Sequence, residues 1–551
     1  MQIILNLAFF LLLFIFPSNE CNNPHYSKVY IRTTQVGFLP NDVKTGVIFS
    51  KDKINAKKYY IINSVTRKLE FEDYLPGSNF VYGKFNYAVP IDFTPLKKIG
   101  NYYIKVGENR SIQFKVNKNI FNNITDSLLL FYKAQRCGST HPILHKKCHL
   151  SDATRLIGTK DSLGVDLTGG WHDAGDYIKF LPTTAFTTYL MLFSYEFDKE
   201  KFGFDRDKNG APDILEEAKI GLDWMKRANY IKDKLVTQVQ DIRDHEVGWR
   251  LPENDTLRYD RPGFVGMGKN QIGLYAATMA LAYRIWKDKF NNNDFANDCL
   301  YRAKELYSIK DKVPNIDKMH SGFYQDTRYK GKLALGAVEL FISTQDSSYL
   351  RDAETLADSA GSDYWWSWGD INSLADYKLA TLNPRFKDYL QNNLIHFNNT
   401  SKKSLFAEGM PYSWGTTNSF LGITLQSILY KRLTGETKFD SLAATQRDFI
   451  LGRNPWGISF IYNIGRVFPK HLHSQIAYFN GGYLPGALSA GPAPLSILKN
   501  YNIKRENLLY NYFNNDSVKY YDNKLDYITN EPTIVGNATA LFVFGYFSSK
   551  Y

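Results

Sequence analysis

Cysteine is almost missing from this chain. Four residues in 551, Cys21, Cys137, Cys148 and Cys299, are too few for a disulfide framework to stand in for a core. Long apolar runs are scarce as well: beyond Phe16 no segment keeps up the roughly 18 residues that a membrane helix needs, which excludes a helical membrane protein. The charge balance is basic, at +12. However, the lysines fall as scattered pairs, Lys57-Lys58, Lys97-Lys98, Lys146-Lys147 and Lys402-Lys403. No arginine-rich run or nucleic-acid motif gathers them, so the charge serves solvation and no nucleic-acid partner is expected. No motif asks for an organic cofactor.

Aromatic residues, by contrast, are abundant: 38 Tyr, 37 Phe and 9 Trp make up 15% of the chain. Part of that builds a core, and the surplus suits stacking on flat ligand faces. A length of 551 residues predicts more than one domain. Residues 1–21 read as a cleaved secretory signal, apolar from Met1 to Phe16 and then Pro17-Ser18-Asn19, although no Lys or Arg precedes the apolar stretch. The expectation is a secreted protein.

Residues 28–117 carry short β-rich runs near 29–31, 45–49, 59–62, 101–106 and 111–116, punctuated by turns such as Pro40-Asn41-Asp42 and Pro76-Gly77-Ser78. That spacing predicts a small β-sandwich. From about residue 120 to the end the pattern is helical. About a dozen amphipathic helices, among them 124–135, 183–197, 211–228, 271–287 and 534–547, are joined by long loops rich in Gly, Pro, Asn and aromatics. A toroid of nested helical hairpins is one architecture with this signature; a large bundle or a superhelix is another.

Four stretches carry chemistry. Gly169-Gly170-Trp171-His172-Asp173-Ala174-Gly175-Asp176-Tyr177 sets two carboxylates three residues apart in a glycine-bounded turn. Crowded acids repel, so one is held by neighbours or shares a proton, an arrangement suited to deprotonating water. Tyr521-Asp522-x3-Asp526-Tyr527-x2-Asn530-Glu531-Pro532 places Glu531 in apolar company that raises a carboxyl pKa, and a raised Glu opposite an ionised Asp makes an acid/base pair. The run from Asp244-His245 to Trp249 and the Tyr364-Trp365-Trp366-Ser367-Trp368 stretch are candidate sugar-stacking walls or ordinary packing. Asp205-Arg206-Asp207-Lys208-Asn209-Gly210, with Glu216 after it, fits the spacing of a calcium loop. Asp205, Asp207, Asn209, the Ala211 carbonyl and Glu216 would be ligands of a structural Ca²⁺, although Pro212 sits where such loops place a β-branched residue. Cys137 and Cys148 could form a small disulfide. With His149 and His172 they could equally form a closed Cys₂His₂ zinc set.

Taken in order, these segments resemble glycoside hydrolase family 9, the inverting cellulases, in the subgroup with an N-terminal immunoglobulin-like domain. Ile31-Arg32-Thr33-Thr34-Gln35-Val36-Gly37-Phe38-Leu39-Pro40 is similar to the opening of that domain. Phe131-Tyr132, Gln135-Arg136-Cys137-Gly138, the loop from Gly170 to Asp176, Pro212-Asp213-Ile214-Leu215-Glu216-Glu217, Leu433-Thr434-Gly435-Glu436, Leu451-Gly452-Arg453-Asn454-Pro455 and Asn530-Glu531 with Asn537-Ala538 follow the family pattern.

The resemblance implies a multi-domain fold, an immunoglobulin-like sandwich followed by an all-α (α/α)6 toroid with an open cleft. It implies an endo-β-1,4-glucanase acting on cellulose or a related β-glucan polysaccharide or oligosaccharide, expected as a monomer. Asp176 matches the general base, Asp173 its helper in orienting water, and Glu531 the general acid; Asp522 and His473 match further cleft positions. Inversion asks for the two carboxyls roughly 6.5–9.5 Å apart. Trp171, Tyr177, His245, Trp249, Trp368, Gln475 and Tyr527 are the expected substrate contacts. The resemblance also favours a structural Zn²⁺ on Cys137, Cys148, His149 and His172, and a structural Ca²⁺.

Three departures stand out. His473-Ser474-Gln475 replaces His-His-Arg, which removes a charged fork. Ala490-Gly491-Pro492 replaces Gly-Gly-Pro, and the 244–249 loop is one residue longer. The first departure motivates an alternative reading as an exo-acting β-glucosidase or glucosaminidase. A degenerate carbohydrate-binding protein is the alternative outside enzymes.

Overall fold

The computed structural model describes residues 28–78, 80–161, 164–255, 260–317, 324, 326–506 and 508–549. The expected signal segment, 1–21, lies outside them.

The N-terminal region is a sandwich of two sheets. One runs in the order β1 (Tyr30–Arg32), β3 (Thr45–Ser50), β7 (Phe85–Asp92), β6 (Phe80–Tyr82). The other runs β2 (Gly37–Phe38), β10 (Phe114–Val116), β8 (Gly100–Val106), β4 (Lys58–Asn63), β5 (Leu69–Tyr74), with β9 (Asn109–Arg110) on β8. Pairing is antiparallel except between β2 and β10. Strand periodicity sends alternate residues to opposite faces. On β3, Ile48 joins Ile61, Val89, Ile104 and Phe114 in the sandwich core, while Val47 and Phe49 turn outward into the main hydrophobic core of the helical region. The sandwich therefore docks through a full sheet face. Phe49 and Tyr82 pack against Phe406, and Arg32 lies 4.6 Å from the centre of the Phe513 ring. Gln35 saturates its amide at the same seam. Nε2 donates to the Gly457 and Val467 carbonyls, and Oε1 accepts from the backbone N–H groups of Arg466 and Val467.

Twelve helices of nine residues or more follow among the described residues: α1 Asn122–Gln135, α2 Leu181–Phe197, α3 Asp213–Ala228, α4 Lys269–Phe290, α5 Asn293–Ser308, α6 Lys330–Thr344, α7 Ser347–Ala360, α8 Asn372–Ala380, α9 Lys387–Ser401, α10 Thr416–Thr434, α11 Asp440–Ile450 and α12 Ile534–Phe547. The even-numbered helices touch in sequence and close on themselves, α2 to α4, α6, α8, α10, α12 and back to α2; each odd-numbered helix packs outside an even-numbered neighbour. This is the (α/α)6 toroid. Inner and outer helices differ as their positions require. On α2 every residue except Glu196 is buried, whereas α3 buries Ile214, Leu215, Ala218, Leu222 and Met225 along one stripe. Inner neighbours come close where side chains vanish: a Cβ on Gly273 of α4 would lie 2.4 Å from the Lys332 carbonyl carbon on α6. No helix among the described residues is long and apolar enough to cross a membrane.

Because inner and outer helices alternate in direction, the N-termini of all six inner helices open on one mouth. The segments leading into them supply the residues expected at the site.

Candidate active site

Asp173 and Asp176 stand in the segment entering α2, and Glu531 in the one entering α12. They meet at Gly175. Its N–H donates to Glu531 Oε1 at 3.1 Å, and a Cβ there would fall 2.2 Å from the His473 carbonyl oxygen, so only glycine permits the approach. Asp173 is fixed by its own backbone. Its N–H donates to the Ile178 carbonyl, and its carbonyl accepts from Ile534, the first residue of α12. One carboxylate oxygen accepts from the Tyr324 hydroxyl. The other is buried without a protein partner, and burial pushes the group up to about 7. Glu531 is raised well above the usual carboxylate range by burial and then by the charge of Asp176. Asp176 faces His245, whose Nε2 lies 2.8 Å from Oδ2. Burial opposes the charged ring of His245, but the hydrogen bond and charge of Asp176 more than offset it, so its pKa rises. His473 closes the group, with Nε2 3.9 Å from Glu531 Oε1, Nδ1 2.8 Å from the Lys524 carbonyl, and a pKa lowered to about 4 by burial.

Aromatic rings flank this centre on several sides. Trp249 stands edge-on to both His473 and Tyr478, while Tyr527 packs against His473, Trp414 and Tyr501. Trp368 meets Tyr324 edge-on at 5.2 Å. Trp414, Tyr478 and Tyr501 remain exposed.

Behind the base loop, Cys137, Cys148, His149 and His172 bring one ligand atom each to within 4.8 Å of one another, all buried. Both cysteines are free thiols, so the disulfide alternative is not formed. His149 Nδ1 and His172 Nε2 are 3.1 Å apart, Cys137 Sγ lies 3.7 Å from His149 Nδ1, and Cys148 Sγ lies 3.9 Å from His172 Nε2. Those spacings approximate the edges of a tetrahedron around an ion bound roughly 2.0–2.1 Å from nitrogen and 2.3 Å from sulfur. On its far side His149 Nε2 meets Asp255 Oδ2 at 2.9 Å, the outer carboxylate that orients a ligating imidazole. The four residues fit a metal.

The calcium loop fits less well. Asp205, Asp207 and Glu216 do not converge as the quartet does. Asp205 accepts from the Asn209 and Gly210 amides, and Asn209 Nδ2 donates to Asp207 and Glu216. The Asn209 amide thus occupies the centre that Asn209, Ala211 and the acids would give to an ion.

Four expected contacts are corrected. Trp171 is fully buried against Tyr132, its indole N–H donating to Glu217. Tyr177 is fully buried beside His149 and His172, its hydroxyl donating to the Arg250 carbonyl. Both rings turn inward and buttress the Asp173–Asp176 loop, Trp171 against Tyr132 and Tyr177 against His172. Gln475 is buried, with Oε1 accepting from the Arg250 N–H and its own N–H donating to the Gly175 carbonyl. Asp522 accepts from the backbone of Lys470 and His471 and from the Asn530 amide; it shapes the segment ahead of Glu531 and does not join the acid and base. Sequence reasoning missed Tyr324, an isolated tyrosine with no motif around it. It also missed Trp414, whose aromatic turn Pro411-Tyr412-Ser413-Trp414-Gly415 was a usable signal.

With this geometry in view, the likenesses to known proteins are coherent. The glycosyl hydrolase family 9 model matches residues 121–544, and that of the cellulase N-terminal ig-like domain matches 27–111. Endoglucanase D of Acetivibrio thermocellus is 23% identical over 506 residues, covering 84% of this chain and 78% of its own. The xyloglucan-specific endo-beta-1,4-glucanase BoGH9A of Bacteroides ovatus is 24% identical over 537 residues, covering 84% and 86%. Among solved structures, a metagenome-derived glycoside hydrolase family 9 endoglucanase superimposes with a TM-score of 0.81 at 23% identity, over 95% of this chain and 99% of that one. AaCel9A in complex with cellobiose-like isofagomine gives 0.77 at 20%, over 94% and 99%. The toroid, its docked sandwich and the match across both regions agree: the chain is a glycoside hydrolase and belongs to glycosyl hydrolase family 9.

Proposed function

We propose that the protein is a secreted endo-β-1,4-glucanase that cleaves cellulose or a related glucan with inversion. The observation that carries the proposal is the meeting of Glu531 with the Asp173–Asp176 loop at Gly175. A carboxyl kept protonated by burial stands there against a carboxylate held by His245. Asp176 takes a proton from water as the water oxygen attacks the anomeric carbon. Glu531 gives its proton to the glycosidic oxygen as the carbon–oxygen bond breaks. The second oxygen of Asp173, buried and without a protein partner, supports a role in holding that water. Aromatic rings on more than one side of the pair support an endo-acting cleft. Zinc is the ion we assign to Cys137, Cys148, His149 and His172; when bound it supplies a closed structural fastening and no reactive position.

The motive for an exo-acting or glucosaminidase reading is the His473-Ser474-Gln475 stretch, in which Gln475 stands in place of a charged fork. The Gln475 oxygen is spent on a backbone amide inside the protein, so the departure does not by itself remake a sugar contact. A purely carbohydrate-binding role leaves the raised Glu531 and the orphan oxygen of Asp173 without a purpose. The test is NMR of the first products from a soluble β-1,4-glucan. The α-anomer is expected first, and the Asp176→Asn variant is expected to release none of it above background. A β-anomer would sink inversion, and an active Asp176→Asn enzyme would sink the base assignment.

A further inference from the structure

Gln475 and the loop that runs from Asp244 to Arg250 touch each other. The backbone N–H of Arg250, the second residue after the exposed glycine Gly248, donates to Gln475 Oε1 at 3.0 Å. Gln475 is buried, and its backbone N–H donates to the Gly175 carbonyl at 3.0 Å. Gly175 in turn donates to Glu531 and immediately precedes Asp176. One residue therefore links the His245 loop, through its side-chain oxygen, to the peptide on which Glu531 and Asp176 converge, through its backbone N–H.

The loop it holds is tied together by Arg250. The Arg250 guanidinium bonds Asp255 Oδ1 at 2.7 Å and Asp244 Oδ1 at 2.8 Å, and also reaches the Gly248 carbonyl. Asp244 is further met by Arg261 and by the Tyr177 N–H. Its chain neighbour His245 is the residue standing on Asp176. The neutral amide of Gln475 gives the Arg250 N–H an acceptor without adding charge.

We infer that Gln475 is a positioning residue for the hydrolytic reaction: through Arg250 it sets His245 against the general base, so that Gln475 and the 244–250 loop work as one unit. The inference rests on Asp176 being the base.

The test is a double-mutant cycle on soluble β-1,4-glucan with Gln475→Met, which keeps bulk and removes the acceptor, and His245→Ala. Gln475→Met is expected to lower kcat about tenfold, the scale of one lost buried hydrogen bond, with KM and melting temperature little changed. Gln475→Glu, which keeps an acceptor oxygen, is expected to restore kcat to within about twofold of the parent. In the His245→Ala background Gln475→Met is expected to cost nothing further, because the group it positions is gone. An equal tenfold loss in both backgrounds overturns the inference, as does a loss in Gln475→Met that follows melting temperature alone. A parent enzyme inactive on β-glucan, or an active Asp176→Asn variant, would instead bring down the functional reading itself.

Discussion

The two halves of the candidate centre are held by different means. The base side, Asp173 and Asp176, lies on a glycine-rich loop with little secondary structure of its own. That loop is pinned from behind by the buried Cys137, Cys148, His149 and His172 set and from the flanks by Trp171 and Tyr177. The acid side, Glu531, needs no such fastening. It lies three residues before the start of α12, Thr533 Oγ1 caps that helix by accepting from the Gly536 N–H, and the Glu531 carbonyl accepts from the Ala490 N–H. On the proposed reading the base is held by ligand chemistry and the acid by the toroid itself. The two sides should therefore fail differently.

The largest expected loss is on the acid side. Glu531→Gln removes the donor proton without changing shape, and kcat on glucan is expected to fall about 10²–10⁴-fold, while aryl glycosides with acidic leaving groups keep most of their rate. The pH profile gives the sign. Glu531 is active when protonated and its carboxyl is raised by burial and by Asp176, so activity is lost as pH rises through its folded-state value. That basic limb should vanish in Glu531→Gln measured on the activated substrate. Retention of the limb would assign it to another group.

The second loss belongs to the base side and separates the two halves. Cys148→Ser, or prolonged chelation followed by metal analysis, should remove one equivalent of zinc and lower kcat by about 10–100-fold, the range in which disturbed metal surroundings act. It should also lower the melting temperature. If the base loop alone depends on the quartet, aryl glycosides with acidic leaving groups should lose as much as glucan does, because water activation is needed for both. Retained activity in demonstrably metal-free enzyme would erase the contrast between the halves.

How much of this was legible in the sequence follows from the same contrast. The twelve long helices show in the sequence because amphipathic and apolar stripes repeat at helical spacing, and the acid-bearing loops show because glycines and paired carboxylates break that repeat. Strands β5 and β7 were not legible. Leu69–Tyr74 is a polar, largely exposed edge run, and Phe85–Asp92 contains Pro90, which argues against a strand although it lies opposite Val47 between two neighbours. Within the site, residue types were readable and directions were not. Nothing local says that Trp171 and Tyr177 turn inward, that Gln475 spends its oxygen on Arg250, or that Tyr324 arrives at Asp173 from the segment before α6. Those depend on how loops from separate inner helices pack together.

The smallest effect is expected in the 205–216 loop, which contributes no side chain to either half. Its acids are already satisfied by the loop's own amides, with Asn209 donating to Asp207 and Glu216, and all three acids lie at the surface. For calcium to bind, the Asn209 amide would have to turn its oxygen inward and exchange those hydrogen bonds for ligand bonds, so only the difference between the two sets contributes to stability. Asp205→Asn is therefore expected to leave kcat within about twofold and to lower the melting temperature by only about 1 °C, roughly 1 kcal/mol for a chain of this size. Calcium should raise the parent's melting temperature by no more than that and leave the variant's unchanged. A large calcium-dependent shift in the parent, abolished in Asp205→Asn, would show that this exposed loop is fastened as firmly as the base loop, and that ligand chemistry anchors both the base loop and the start of α3.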